Sequence, residues 1–259
     1  MNKKYIDFNW ISRTCTLFFM LITNSLLFHA CTDDFGEVSP GKSKFLNGSG
    51  VFIISEGNYG SGNGSLSFLN FDSLNIYNDI FYAANDRPLG DVPCSMTFIE
   101  NEIWVVVNNS ARIEVMKDSD LSSTDAITGF SSPRFLVKVS NEKAYVSDFY
   151  SSEIAILNLK SRQIQGFIPI GRSSEQMVMA GGKVFVAFWS NYGFDGLENN
   201  QLMVIDPQTN ALTDSLLVGK EPNSMVLDAA GKLWVLCSGG FMAEEFPTLH
   251  RINPQSLET

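Results

Sequence analysis

Histidine is close to absent from this chain. Only His29 and His250 are present, which leaves no His-rich metal set. Cysteine is scarce too, with 4 in the whole sequence, and none forms a Cys-x-x-Cys pair. No nucleophile elbow of the Gly-x-Ser-x-Gly kind feeds a helix. Basic side chains number 18 against 28 acidic ones, a balance that nucleic-acid phosphates would repel. The apolar residues nowhere keep the three-and-four spacing that helical repeats need. What is present is a 44% hydrophobic content with 20 phenylalanines, enough for a packed core and suited to pleated, half-buried surfaces.

The first thirty residues read as a targeting segment and are set apart from the fold. Lys3, Lys4 and Arg13 form a basic start, and residues 14–28 form an apolar run. That run is shorter than the about 20 residues a membrane-spanning helix needs. It ends in Leu27-Phe28-His29-Ala30-Cys31, which resembles a bacterial lipobox with Cys31 as the lipidated residue; Phe28 and His29 stand where Leu and a small residue are usual. The alternatives are an ordinary secretory peptide cleaved nearby, or an uncleaved anchor. Thr32-Asp33-Asp34 resembles the acidic signal that sends lipoproteins of Bacteroidota-type bacteria to the cell surface. The expected organisation is therefore a signal peptide over 1–30, an acidic and polar tether over 31–48, and a folded domain over 49–259. Without Lys3, Lys4, Arg13 and Asp7, the 18 basic and 28 acidic side chains become 15 and 27. Of the two cysteines beyond Cys31, Cys94 and Cys237 lie in strand-like runs and read as small buried hydrophobes rather than a disulfide.

An internal repeat carries the fold. Pro93-Cys94-Ser95-Met96-Thr97-Phe98 is followed by a turn at Asn101 and by Ile103-Trp104-Val105-Val106-Val107. Pro133-Arg134-Phe135-Leu136-Val137 leads to a turn at Asn141 and Ala144-Tyr145-Val146. Gln176-Met177-Val178-Met179 leads to Gly181 and Val184-Phe185-Val186, and Pro222 to Leu227 leads to Ala230 and Leu233-Trp234-Val235-Leu236. Successive turns are 40, 40 and 49 residues apart, the last lengthened by an insertion over residues 192–200. Third strands follow at Ile113, Ile154 and Leu202, and fourth strands at Ile164 and Leu212. Four short strands in a period of about 40–45 residues predict an all-β fold, a β-propeller of four-stranded blades. Trp104, Tyr145, Phe185 and Trp234 hold equivalent second-strand positions and are expected to be buried between neighbouring sheets. The first blade begins at Val51 with a second strand, and the last ends near Ile252 with a third. The expectation is an incomplete propeller, about four and a half blades of a ring of about seven.

Residues 51–157 resemble the surface propeller lipoproteins of Bacteroidota, related to the broader YncE-like, surface-layer-type propellers. The resemblance rests on residues 55–67 (Ser-Glu-Gly-Asn-Tyr-Gly-Ser-Gly-Asn-Gly-Ser-Leu-Ser), Arg87-Pro88-Leu89-Gly90-Asp91, Val106-Val107-Asn108-Asn109-Ser110, Pro133-Arg134 and Ala144-Tyr145-Val146-Ser147-Asp148. Members include surface cobalamin-binding lipoproteins that pass corrinoids to a TonB-dependent outer-membrane transporter. The resemblance thus implies an outer-membrane, cell-surface location, a corrinoid ligand and that transporter as partner. It assigns no individual binding residue.

Propeller geometry places the loops between second and third strands on the same face as the links between blades. Those loops hold Tyr59; Asn108, Asn109 and Arg112; Phe149 and Tyr150; Trp189, Tyr192 and Phe194; and Phe241 and Phe246. The links add Arg87, Arg134, Arg172 and Asn223. Rigid aromatics among amides suit a large, partly apolar ligand edged with amide groups, such as a corrinoid or a stacked glycan. The competing reading is that several of these rings pack beneath their own loops. The ligand-binding set is Tyr59, Asn108, Asn109, Arg112, Arg134, Phe149, Tyr150, Trp189 and Tyr192, with no catalytic residue, metal or cofactor expected. Ligand capture leads; a scaffold for another envelope protein and a lactonase-type hydrolase are the alternatives. The glycine-rich run at 57–62 joins two strands and reads as a turn, since a phosphate loop would feed a helix. Asp72, Asp118, Asp148 and Asp206 punctuate strand ends, where Asp makes local turn bonds.

Overall fold

Alternating apolar residues separated by Asn, Asp and Gly turns fold the described residues into eighteen strands in five antiparallel sheets. The structure, a computed structural model, describes residues 48–188, 198–242 and 244–258. They lie in one compact unit, Pro40–Thr259. Cys31, the expected signal peptide, nearly all of the expected tether, Trp189, Tyr192 and Phe194 lie outside the described residues.

The first sheet contains β1 (Gly50–Ser55), β2 (Ser65–Asn70) and β3 (Ile76–Tyr77). The second runs β4 (Pro93–Ile99), β5 (Glu102–Val107), β6 (Arg112–Lys117), β7 (Ser123–Thr128). The third runs β8 (Pro133–Lys138), β9 (Lys143–Asp148), β10 (Glu153–Asn158), β11 (Gln163–Pro169). The fourth runs β12 (Met177–Ala180), β13 (Lys183–Val186), β14 (Gln201–Asp206), β15 (Ala211–Leu217). The fifth contains β16 (Pro222–Leu227), β17 (Leu233–Cys237) and β18 (Thr248–Ile252). Each sheet is a meander of chain neighbours, and the innermost strands β4, β8, β12 and β16 follow one another around an axis, with β1 beside β4. This is a β-propeller of five small blades, three of four strands and two of three.

Irregularities repeat with the blades. The third strand slips against the fourth at Val115/Met116, Ile156/Leu157 and Val204/Ile205, which are equivalent positions. Another shift follows Pro93, Pro133 and Pro222 at the start of an innermost strand, where a residue without an N–H costs no ladder bond.

Four apolar clusters fill the spaces between the described sheets, and β5, β9 and β13 each serve two of them. Ile103, Val105 and Val107 of β5 face the first sheet with Leu66 and Phe68. Trp104 and Val106 face the third sheet with Ala144 and Val146. Tyr145 joins Val184 and Val186, and Phe185 joins Leu233, Val235 and Cys237. The alternation of a strand, period two, is thus buried on both sides. Trp104, Tyr145 and Phe185 are buried as expected. Trp234 is not: it is half-buried and its neighbour Leu236 is 46% exposed, because no described sheet packs on that side of β17. In compensation, the Trp234 indole N–H donates to Asp228 Oδ2 at 2.9 Å, and the Arg251 guanidinium lies 5.7 Å from the ring centroid.

Neighbouring innermost strands are stitched by side chains. Ser95 Oγ donates to the Arg134 carbonyl at 2.7 Å and Thr97 Oγ1 to that of Leu136 at 2.9 Å. Gln176 donates to the Met225 carbonyl at 3.1 Å and accepts from the Met225 N–H at 2.6 Å. A short helix, α1 (Ile80–Asn85), departs from the all-β expectation. It inserts Ile80 and Phe81 into the first inter-sheet cluster, and Asn85 binds the Leu121 carbonyl and the Ser123 N–H. Among the described residues no helix is long and apolar enough to cross a membrane.

The same repeat position should therefore carry different energies. Tyr145→Ala or Phe185→Ala is expected to cost about 3–5 kcal/mol in urea unfolding, whereas Trp234→Ala should cost about half as much. Equal losses at all three positions would contradict this packing.

Candidate functional site

The links between blades and the loops between second and third strands meet on one face, the link face. The loop of residues 57–64, between β1 and β2, reaches the first link: Gly64 N–H donates to the Gly90 carbonyl at 2.9 Å, and Gly60 N–H to Asp91 Oδ2 at 2.9 Å. A side chain at Gly64 would strike the Pro93 ring, its Cβ 2.1 Å from Cδ, so the approach requires glycine. From the other side, Asn109 Nδ2 donates to the same Asp91 oxygen at 2.5 Å. Asn108 Nδ2 then donates to Ser132 Oγ at 2.8 Å and the Pro133 carbonyl at 3.0 Å, tying the second blade to the next link. There the Asp148 carboxylate accepts from the N–H groups of Ser131, Ser132 and Tyr150. The Asp148 N–H in turn donates to Ser174 Oγ in the following link.

Several residues singled out in the sequence serve this stitching. Asn108 is buried and bonded as described. Arg112 donates from Nε to Glu114 Oε2 at 3.2 Å and from Nη2 to the Leu89 carbonyl at 2.7 Å. Arg87 meets the other Glu114 oxygen at 2.5 Å and lies 4.9 Å from the Phe81 ring centroid. Glu114 is wholly buried and also accepts from Ser123 Oγ, so one carboxylate gathers two guanidinium groups between the first two blades. The sequence reading missed it, although a lone charge inside Ile113-Glu114-Val115-Met116 is the signal that marks it. Arg134 donates from Nε to the nearly buried Glu175 at 2.7 Å. Burial works against the Arg134 charge, and the Glu175 carboxylate outweighs it, so its pKa is raised. Arg172 is buried over the Phe188 ring, 4.0 Å from the centroid, and donates to the Glu198 carbonyl at 2.7 Å; burial lowers its pKa.

Other predicted residues project outward. Tyr59 is 75% exposed at the tip of its loop, and Tyr150 is 55% exposed. Phe149 is half-buried beside Tyr150, ring centroids 5.3 Å apart and tilted. Phe241 and Phe246, between β17 and β18, are almost fully exposed, and Asn223 is exposed at the start of β16. Trp189 and Tyr192 lie outside the described residues.

An open cleft of ≈ 500 Å³ lies between the innermost strands. Its lining includes Phe52, Ile54, Met96, Phe135 and Met177, with Cys94, Phe135 and Gln176 near the link ends of their strands. The polar groups of Ser95, Thr97 and Gln176 in this lining are already bonded to the neighbouring strand. The Cys94 thiol donates to the Arg134 carbonyl at 3.0 Å, and burial pushes its pKa up to about 12. Cys94 and Cys237 are both free thiols. Among the described residues no three His, Cys, Asp or Glu side chains converge on a metal position.

Stability should separate the two groups of residues. Glu114→Ala is expected to cost about 2–3 kcal/mol in urea unfolding, less than a fully buried pair because Arg87 and Arg112 keep some access to water. Tyr59→Ala and Tyr150→Ala should stay within about 0.5 kcal/mol of the parent. A Tyr59→Ala loss as large as that of Glu114→Ala would mean the ring is structural.

No curated protein matches this chain. Among solved structures, it is similar to a quinonprotein alcohol dehydrogenase-like protein from Bacteroides thetaiotaomicron, with 13% identity and a TM-score of 0.62 over 82% of this chain and 50% of that one. A protein of unknown function from Bacteroides caccae shows 16% identity and a TM-score of 0.54, covering 81% and 71%. Kuenenia stuttgartiensis hydrazine synthase shows 15% identity and a TM-score of 0.55, covering 63% and 46%. The chain spans about half the length of the first and third of these. At such identities the likeness shows a shared propeller fold alone. A family model described as a domain of unknown function, DUF5074, matches residues 49–259, and the chain belongs to that family.

Proposed function

We propose that this protein is a cell-surface lipoprotein, anchored through Cys31 in the outer membrane, that captures a corrinoid on its link face for a TonB-dependent transporter. The observation that carries the reading is the outward display of Tyr59 and Tyr150 on loops whose backbone is held by Asp91 and Asp148. A rigid ring offers contact area at little conformational cost, and stacking on it suits a large planar ligand. Among the described residues of this face, Arg87, Arg112 and Arg134 are paired with Glu114 and Glu175. A neutral, amide-fringed ligand fits this better than a phosphate. Binding is preferred to lactonase-type hydrolysis because the carboxylates of Glu114 and Asp148 are engaged by the fold's own donors. The seven-bladed ring belongs to the same proposal, with further blades of this repeat covering Val51, Ile53, Leu236 and Leu249, which are exposed here. Those exposed apolar residues also support the second reading, a scaffold that docks another envelope protein.

Incubation with cyanocobalamin and gel filtration should give corrinoid absorbance co-eluting with the protein. Tyr59→Ala and Tyr150→Ala should each weaken binding about thirtyfold, with little change in melting temperature. A parent that elutes free of corrinoid overturns the ligand and leaves the scaffold as the better reading. For the anchor, Cys31→Ser should abolish fatty-acid labelling and release the protein from membranes; persistent labelling would refute it.

A further inference from the structure

Tyr59 rides on a loop that chain chemistry alone would leave loose. Four of the eight residues from 57 to 64 are glycine, and an anchor on a mobile loop loses affinity to the cost of ordering it. Two bonds inside the loop shape it: Asn58 N–H donates to Asn63 Oδ1 at 2.8 Å and Ser61 N–H to the Asn58 carbonyl at 3.0 Å. Its position on the molecule is set elsewhere. Beyond the Gly64–Gly90 bridge at its base, the hydrogen bond that ties the tip to the other described residues is that of the Gly60 N–H to Asp91 Oδ2. Gly60 immediately follows Tyr59 and has φ +77°, so the bond fixes the turn that aims the ring.

Asp91 is itself held firmly. Its N–H donates to Ser110 Oγ at 2.9 Å, and its carbonyl accepts from the Asn109 N–H at 3.1 Å. Its Oδ2 also accepts from Asn109 Nδ2, whereas its Oδ1 is buried without a hydrogen-bond partner. One oxygen therefore performs both tasks, and a neutral amide oxygen could replace it. Asp148 stands in the same relation to the second exposed ring: its Oδ1 accepts from the Tyr150 N–H at 2.9 Å while its Oδ2 accepts from Ser131 N–H at 2.8 Å. An aspartate thus fixes the backbone at each displayed tyrosine. Asp148 also supports two links, so Asp91 is the cleaner probe.

We propose that Asp91 is a positioning residue that holds Tyr59 in place for the ligand, through the geometry of Oδ2 rather than through its charge. The proposal rests on the link face being the ligand site. It is tested first without ligand, by chymotrypsin cleavage after Tyr59 in the native chain, with cleavage after Phe246 as internal reference and sites assigned by mass. Asp91→Ala should speed cleavage after Tyr59 about tenfold, the loss of one anchoring hydrogen bond, while Asp91→Asn should cleave like the parent. It is tested next with cyanocobalamin. Asp91→Ala should weaken binding about tenfold with melting temperature little changed. Asp91→Ala combined with Tyr59→Ala should bind no worse than Tyr59→Ala alone, because both act through one ring. Unchanged cleavage in Asp91→Ala overturns the proposal. So does faster cleavage with full affinity for cyanocobalamin, or additive losses in the double variant. Asp91→Asn behaving like Asp91→Ala overturns the role of geometry over charge. A parent that fails to bind cyanocobalamin removes the ligand role, and the cleavage result then reports separately whether Asp91 holds the loop.

Discussion

A β-sheet with apolar residues on both faces has to be covered twice, and everything else in this molecule follows from how that is achieved. Along β5, β9 and β13, odd and even residues both point into protein, one set to the preceding sheet and one to the next. No single sheet can satisfy itself in that way. Stacking sheets of like pattern does, and the right-handed twist of each sheet turns the stack around an axis. The large ring of one second strand meets the small aliphatic side chains of the following one, as Trp104 meets Ala144 and Val146. The size alternation lets neighbouring sheets interlock without voids.

Polar chemistry is confined to the places this stacking leaves over. Where innermost strands run side by side, hydroxyl, thiol and amide groups bind the carbonyls of the next strand. Between the first two sheets a wholly buried carboxylate is matched by two guanidinium groups. Burying such charges is favourable only when each is paired and hydrogen-bonded. On the link face, the backbone amides of Gly60, Ser131 and Asp148 are tied to Asp91, Asp148 and Ser174 in turn. The arginines that sequence position would offer to a ligand are consumed in this way, and the aromatics are what remains on display.

The legibility of the sequence tracks the range of the interactions. Strands β4, β5, β9, β10 and β16 were readable because their alternation and bounding turns are local signals repeated at a fixed spacing. The helix α1 was not, since six residues of Ile80–Asn85 complete less than two turns and show no period. Asp91 and Glu114 escaped for another reason: Gly60, which Asp91 holds, and Arg87, which meets Glu114, lie 31 and 27 residues away in the chain. The exposure of Trp234 was missed because its own strand matches the repeat, and burial depends on a neighbour. Of the loop residues, Tyr59 and Tyr150 are displayed, whereas Asn108, Arg112 and Arg134 are taken up by the fold.

The register breaks at Val115/Met116, Ile156/Leu157 and Val204/Ile205 fall at one place in the blade although the residues differ. The pairing of second with third strands also keeps its register where the turn spacing grows from 40 to 49, with Phe185 opposite Val204 as Tyr145 is opposite Ile156. Length is therefore absorbed in the loop and never reaches the sheet. A lineage carrying this architecture can lengthen or rewrite one link-face loop at a time while the ring stays in register. The link face can thus diversify at a rate uncoupled from that of the core.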